Sequence, residues 1–134
     1  MRAANGRAMK AKGSAFERDM VAVLREHGHP HAVRAYGAGR PRDVGDIAGL
    51  AGFVVEAKCH RSLDLAGWCD EAAREARHAG AGTVPVVVAK RRGHGAADAY
   101  AVLRLADLAD LIARLPTTER GPAMRCRYAR SEET

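Results

Sequence analysis

The sequence predicts one mixed α/β (α+β) domain, with the elements in the order helix, strand, strand, strand, helix, strand, strand, helix (αβββαββα). Two patterns predict it. In three segments the apolar residues recur every three or four positions, as on one face of a helix. Between these segments lie short runs of β-branched residues that are bounded by glycine, as is typical of strands. A chain of 134 residues is long enough to bury one core, and it shows no internal repeat and no linker.

The first helix is predicted to begin at Ser14, because Ser14 and Glu17 have the spacing of a capping box. Its apolar stripe consists of Phe16, Met20, Val23, Leu24 and His27. Gly28 and Pro30 then end the helix. Glu17 is explained as a capping residue, but it also borders the stripe, so a role in a site stays open. Residues 1–13 carry four unopposed basic side chains and no apolar period, which predicts a flexible basic arm.

The stretch 45–59 is predicted to form a short strand, a glycine turn and a second strand that ends in charge. Side chains alternate along a strand, so Glu56 and Lys58 point to the same face. If the two strands pair, Asp46 joins them, and two carboxylates meet a lysine at one place. Oxygen ligands of this kind suit Mg²⁺ or Mn²⁺. The alternative, for the Glu-x-Lys triplet alone, is a surface ion pair, because such triplets are common.

Two further features before the second helix carry basic residues. His31–Tyr36 is predicted as the first strand, and a glycine-rich loop over residues 37–45 follows it with Arg40 and Arg42. Such a loop suits a phosphate group, although an ordinary long turn is the alternative. His60 lies one step beyond the Glu56 and Lys58 face, where it approaches DNA or is simply a solvated strand end.

The second half of the domain is predicted as a helix, a strand covered on both faces, a second strand and a helix. Their bounds are Asp64–Ala79, Val84–Ala89, Tyr100–Leu105 and Leu105–Leu115. A basic turn of Lys90, Arg91 and Arg92 follows the covered strand. Pro116 closes the last helix, and residues 117–134 form a basic tail for which no structure is predicted.

Composition points to a polyanionic partner. The net charge is +6 and the pI is about 9.7, which favours nucleic acid first and an anionic membrane surface second. Aromatic residues make up only 4% of the chain, which argues against a protein that binds single strands by stacking their bases. The sequence has no long apolar run, no signal peptide and three cysteines without framework spacing. We therefore expect no membrane association and a cytoplasmic location, in a bacterium or in the host of a phage.

Four short motifs, in this order, resemble the PD-(D/E)XK nuclease superfamily. Within it they are similar to the Holliday-junction resolvases of archaeal and phage type, over Lys12 to Leu115. The motifs are Lys12-Gly13 with Phe16-Glu17-Arg18, then Arg34, then Gly45-Asp46-Ile47, and then Glu56-Ala57-Lys58. The resemblance implies a restriction-endonuclease-like core with a central mixed sheet flanked by helices, and a nuclease domain over residues 14–116.

The resemblance also implies residue roles. Asp46 and Glu56 are implied to bind Mg²⁺, for which Mn²⁺ is expected to substitute, and Lys58 to orient water. Glu17 is implied to support the metal site from the first helix, and Arg34 to contact the scissile region. The carbonyl of Ala57, between the acid and the lysine, is expected as a third protein ligand. The residues expected to contact DNA are Arg34, Arg40, Arg42, His60, Lys90, Arg91 and Arg92.

The chain departs from the superfamily pattern in two places. Gly45 stands where the superfamily name has proline, which changes the stiffness of the turn. A serine often found in the loop after the first strand is absent, and Ala38 and Gly39 occupy that region. A serine-assisted role there is therefore not expected.

The expected function is a metal-dependent DNA endonuclease, as a homodimeric Holliday-junction resolvase that makes paired symmetric cuts in branched DNA. The alternatives are another nuclease of the same fold that acts on duplex DNA, such as a nickase, repair or restriction-type enzyme, or a non-catalytic basic DNA-binding protein. The complete set of Asp46, Glu56 and Lys58 argues against the last. The dimer interface is expected on the last helix, at Leu108, Leu111, Ile112 and Leu115, and on the edge strand beside it, although these residues also suit ordinary core.

Overall fold

A computed structural model describes residues 2–35 and 45–116 of the chain, with side chains from residue 5 onwards. It confirms the predicted order of elements and the fold class, a mixed sheet of five strands flanked by three helices. The helices are α1 (Arg2–Glu26), α2 (Leu65–Ala79) and α3 (Leu105–Arg114). The strands are β1 (Val33–Arg34), β2 (Ile47–Ala48), β3 (Phe53–Lys58), β4 (Val84–Ala89) and β5 (Tyr100–Val102). A short 3₁₀ turn, Ala96–Asp98, lies between β4 and β5.

The strands lie in the sheet in the order in which they occur in the chain. β1, β2 and β3 form an antiparallel meander, β4 is parallel to β3, and β5 is antiparallel to β4. The parallel connection requires a crossover, which α2 supplies. Because parallel strands end at the same edge of a sheet, Lys58 lies beside Ala89. The loops that follow β3 and β4 therefore begin next to each other, and the Lys90 N–H donates to the Lys58 carbonyl at 2.9 Å.

The two faces of the sheet pack against different helices. Val55 of β3 belongs to a buried cluster with α1 and β2, whose other members are Phe16, Met20, Val21 and Ile47. On the α2 side, Trp68 and Ala72 pack against Val87 and Ala89 of β4. Trp68 is 8% exposed, so it is a core residue, as its spacing predicts. Since side chains alternate along β3, the neighbours of Val55 point towards α2.

The predicted start of the first helix is wrong. The helix begins at Arg2 and runs through Gly13 and Ser14 without a break, so Ser14 is not an N-cap and Glu17 is not part of a capping box. Residues 2–13 contain mainly alanine, arginine, lysine and methionine, which have high helix propensity. They show no apolar period because their side chains are exposed over residues 5–12 and do not pack on the core.

Helix α3 carries a distinct apolar stripe, but none of its residues is buried. Leu105 is 79% exposed, Leu108 39%, Ile112 58% and Leu115, just beyond the helix, 59%. Arg40 and Arg42, the predicted end of the first strand at Tyr36, and the tail over residues 117–134 lie outside the described residues. No helix within residues 2–35 and 45–116 is long and apolar enough to cross a membrane.

Candidate active site

The backbone of β3 fixes Asp46 in place. The Asp46 N–H donates to the Val55 carbonyl at 2.8 Å, and its carboxylate Oδ2 accepts the N–H of Ala57 at 2.8 Å. The residue before it, Gly45, has φ +68°, and a Cβ atom added there would lie 2.6 Å from the Val55 carbonyl oxygen. Proline cannot adopt this φ, because its ring holds φ near −65°. Glycine at position 45 is therefore required by the geometry that presents Asp46.

Glu56 is the buried charged residue of the described chain, with 5% of its surface exposed. Its carboxyl group hydrogen-bonds to the carboxyl groups of Glu75 and Asp46. Burial, followed by the hydrogen bond with Glu75 and the negative charges of Asp46 and Glu75, together raise the pKa of Glu56 from 4.5 to about 10. Without added positive charge, Glu56 therefore holds a proton at neutral pH.

Lys58 lies at the same end of β3, with 13% of its side chain exposed. Its Nζ donates to Oε2 of Glu71 at 2.9 Å and lies 3.9 Å from Oε2 of Glu56. Burial lowers the pKa of Lys58, but the hydrogen bond to Glu71 and the charges of Glu71, Glu56 and Asp46 outweigh it, so the pKa is raised. The sequence left the direction of this shift open, and the geometry makes Lys58 a stable ammonium.

Sequence reasoning missed two residues of this site, Glu71 and Glu75. They lie one turn apart on α2. One carboxylate oxygen from each of them and one from Glu56 all lie within 4.8 Å of one another. We call these three residues the carboxylate cluster. The available signal was an i, i+4 pair of acids beside the apolar stripe of α2. It becomes informative only when the crossover is known to place that flank over Glu56.

Glu17 and Arg34 are brought together as an ion pair, and Arg34 pairs in the sheet with Ile47, the residue after Asp46. Arg34 Nε donates to Oε2 of Glu17 at 2.9 Å, and their side chains are 13% and 21% exposed. The structure thus joins two predicted site residues to each other. Among the described residues, the group of acids close enough to hold one cation is Glu56, Glu71 and Glu75, and it contains neither Glu17 nor Asp46.

The remaining basic residues predicted to contact DNA lie where β3 and β4 end. His60, Lys90, Arg91 and Arg92 are exposed, and all four line a groove of about 790 Å³ beside those strand ends. The His60 ring lies against Trp68, with 5.4 Å between the ring centroids. The parallel pairing of β3 and β4 is what brings these two segments to one edge.

Comparison with known proteins gives a family match over the segment that holds these groups. The family model described as archaeal Holliday junction resolvase (Hjc) matches residues 8–66. The search of curated proteins and the search of solved structures give no significant match. The matched segment runs from α1 to the start of α2 and contains Glu17, Arg34, Asp46, Glu56 and Lys58. The resemblance predicted from the order of the short motifs is thereby confirmed: over residues 8–66 this chain matches the archaeal Holliday junction resolvases, a nuclease family of PD-(D/E)XK type.

Proposed function

We propose that this protein is a divalent-metal-dependent DNA endonuclease that resolves Holliday junctions as a homodimer by paired symmetric cuts. The observation that carries the proposal is Glu56, a buried carboxyl group that contacts two further acids and lies beside the ammonium of Lys58. Buried acids are costly unless a cation compensates them. The family match adds the substrate class, because it covers the segment that holds Asp46, Glu56 and Lys58.

The donor set of the site fits a hard divalent cation. The acids of the site outnumber its lysine, because Lys58 is already paired with Glu71. Asp46 and Glu56 would hold the ion together with the carbonyl of Ala57, and oxygen ligands of this kind suit Mg²⁺, with Mn²⁺ as a substitute. When bound, such an ion supplies positive charge that acidifies an attacking water and offsets charge on the phosphate. The raised pKa of Glu56 supports the proposal, because the neighbouring charges of Asp46 and Glu75 contribute to it.

Lys58 acts as a hydrogen-bond donor in this proposal. Because its pKa is raised, it holds its proton at neutral pH and is unsuited to be a general base. Its Nζ orients the attacking water and stabilises negative charge as that water loses a proton. Glu17 supports the site by holding Arg34 at 2.9 Å, which presents the guanidinium for contact near the scissile phosphate.

Charge and exposure support the partners that we propose. In this proposal the DNA backbone is contacted by exposed basic residues: His60, Lys90, Arg91 and Arg92. The net charge of +6 adds a general attraction to the phosphates. Arg40 and Arg42, which lie outside the described residues, remain proposed DNA contacts by their position in the sequence.

A homodimer explains how one small domain makes two cuts. A junction is resolved by two symmetric incisions, and a two-fold dimer supplies two copies of the site. Helix α3 supports this part of the proposal, because its apolar stripe is exposed in the single chain instead of forming core. Contiguous exposed apolar residues of this kind mark protein interfaces. We place the interface on Leu105, Leu108, Ile112 and Leu115, with Leu111 at its edge.

The test is cleavage of three labelled DNAs in Mg²⁺: a four-way junction, a linear duplex of the same sequence and a single strand. We expect paired nicks at symmetric positions in the junction, no products in EDTA, and none with the Glu56→Ala variant. Light scattering at micromolar concentration is expected to give twice the mass of the 14.3 kDa chain. A monomer that cuts the duplex as fast as the junction would leave a general nuclease of this fold. Binding without cleavage by wild type would leave the non-catalytic DNA-binding protein.

A further inference from the structure

The groove at the ends of β3 and β4 is lined by exposed apolar side chains as well as by basic ones, and contacts with the DNA backbone explain only the basic ones. It begins directly after Lys58 and has a volume of about 790 Å³. The middle of α1 (residues 9–19), the loop after β3 and the loop after β4 form its walls. We call it the basic groove, because five lysine and arginine residues line it and Asp19 is the acid among its lining residues: Lys12, Arg61, Lys90, Arg91 and Arg92.

Exposed apolar side chains share this groove with the cations. Met9 is 59% exposed, Leu63 61% and Tyr100 50%, and all three line it. Phosphate groups need only the cations, so a ligand made of backbone alone would leave these apolar surfaces in water. The combination of both surface types suits a ligand with phosphates on one side and exposed aromatic rings on the other.

We propose that the basic groove binds a short unpaired stretch of a DNA strand next to the cleaved phosphate; this inference rests on the proposed nuclease function. In a duplex the faces of the bases are stacked on one another and only their edges are accessible. Unpaired bases expose their faces, which stack on aromatic side chains. Tyr100 is the exposed aromatic side chain in this groove, so the stretch is short. A volume of this size is typical of sites for small ligands and fits a few nucleotides, not a duplex arm.

Helix α1 takes part in the groove through residues 9–19, a segment that begins within the arm predicted from sequence. Met9 and Lys12 are three residues apart, so they lie on the same face of the helix and both line the groove. Lys10 is two residues from Lys12, which places it on the opposite face, and it does not line the groove. Lys10 and Lys12 therefore form a matched pair with the same charge on the same exposed helix.

The experiment measures DNA binding by fluorescence anisotropy in EDTA, so that no cleavage takes place. Two DNAs are compared: a linear duplex and the same duplex with a short central loop of unpaired bases. Tyr100→Ala is expected to weaken binding to the looped DNA roughly tenfold and binding to the duplex by less than about twofold. Lys12→Ala is expected to weaken binding to the looped DNA more than to the duplex, and to lower its salt slope by roughly 0.7. Lys10→Ala is expected to match wild type on both DNAs.

Equal losses on the two DNAs, or no loss, for both Tyr100→Ala and Lys12→Ala would overturn the inference. Tyr100→Phe retains the ring and is expected to bind like wild type, and thermal melting reports whether each variant folds. If Tyr100→Ala does not fold, the exposed Lys12 and Lys10 pair decides the outcome by the same comparison. Junction cleavage by wild type in Mg²⁺ is measured separately. If wild type cleaves the junction but the variants show no selective loss of binding to the looped DNA, the groove proposal is wrong and the nuclease function stands. If the variants show the selective loss but wild type does not cleave, the nuclease function is wrong and the binding site for unpaired DNA stands.

Discussion

Charge is balanced differently in two regions of this molecule. At α1, one acid and one base form a complete ion pair, with 2.9 Å between Glu17 and Arg34. At the end of β3, Lys58 is the lysine among four nearby acids: Asp46, Glu56, Glu71 and Glu75. In the first pair, one negative charge faces one positive charge. The second group has more acids than bases around the buried Glu56, which is the condition under which a site favours a cation.

Removing the buried acid is expected to have the largest effect. Glu56→Ala, and likewise Asp46→Asn, should lower Mg²⁺-dependent cleavage by orders of magnitude, because each removes a proposed metal ligand. DNA binding should change little, since neither side chain lies in the basic groove. Single-turnover cleavage and anisotropy measure the two properties. Undiminished cleavage by Glu56→Ala would show that the excess of acids does not serve catalysis.

The pH dependence of stability tests the same excess without any substrate. The folded pKa of Glu56 is about 10 and its ordinary value is 4.5. The folded state thus holds the proton more tightly, so this contribution to stability is complete below about pH 4.5 and is lost as the pH rises towards 10. Thermal melting of the metal-free protein should therefore show declining stability across this range, and Mg²⁺ should oppose the decline.

The matched control for this prediction is Glu56→Gln, which keeps the shape of the side chain and removes its titration. Its stability should vary less with pH than that of wild type over the same range. Identical pH profiles for the two proteins would mean that Glu56 is already compensated in the folded chain.

Glu71 is expected to matter less than Glu56, because it acts through Lys58. Glu71→Ala frees the Nζ of Lys58 to approach Glu56, from which it is now 3.9 Å away, and should lower cleavage roughly tenfold. The effect should disappear when Lys58 is already alanine, because the two residues act as one unit. Asp70→Ala is the control: Asp70 is the neighbouring exposed acid on α2 and pairs with Arg104 instead. Additive losses in the double variant would contradict the positioning role.

The smallest effect is expected at the balanced pair. Glu17→Gln retains a hydrogen-bond acceptor for Arg34, so stability should fall by less than about 1 kcal/mol. If Glu17 supports the site by holding Arg34, cleavage should fall several-fold while the melting temperature changes little. Unchanged cleavage would leave Glu17 as a structural partner of Arg34 alone.

The sequence was informative where structure depends on neighbouring residues. The strands around Phe53–Lys58 and Val84–Ala89 follow from local apolar runs, and the alternation along β3 correctly placed Glu56 and Lys58 on one face. The start of α1 was predicted wrongly because a capping-box spacing occurs inside a continuous helix. Local signals indicate that a helix is able to begin at Ser14, but high helix propensity upstream decides that it does not.

Long-range geometry accounts for what the sequence did not reveal about the site. Glu71 and Glu75 are ordinary acids on a helix until the crossover packs that helix over Glu56. The pKa direction of Lys58 likewise depends on Glu71, which is 13 residues away in the chain. Neither relationship has a spacing rule, because the packing of α2 on the sheet sets both.

Gly45 has a consequence for engineering by family consensus. Restoring the most frequent residue of a family at a deviating position is a common route to stabilised variants. Proline, the residue that the superfamily's name has at this place, would force a backbone with φ +68° towards negative φ and push atoms into the Val55 carbonyl. The hydrogen bonds that Asp46 makes to Val55 and Ala57 would be lost with it. In this protein, proline at position 45 would match the name of the superfamily's motif but disrupt the backbone geometry that positions Asp46.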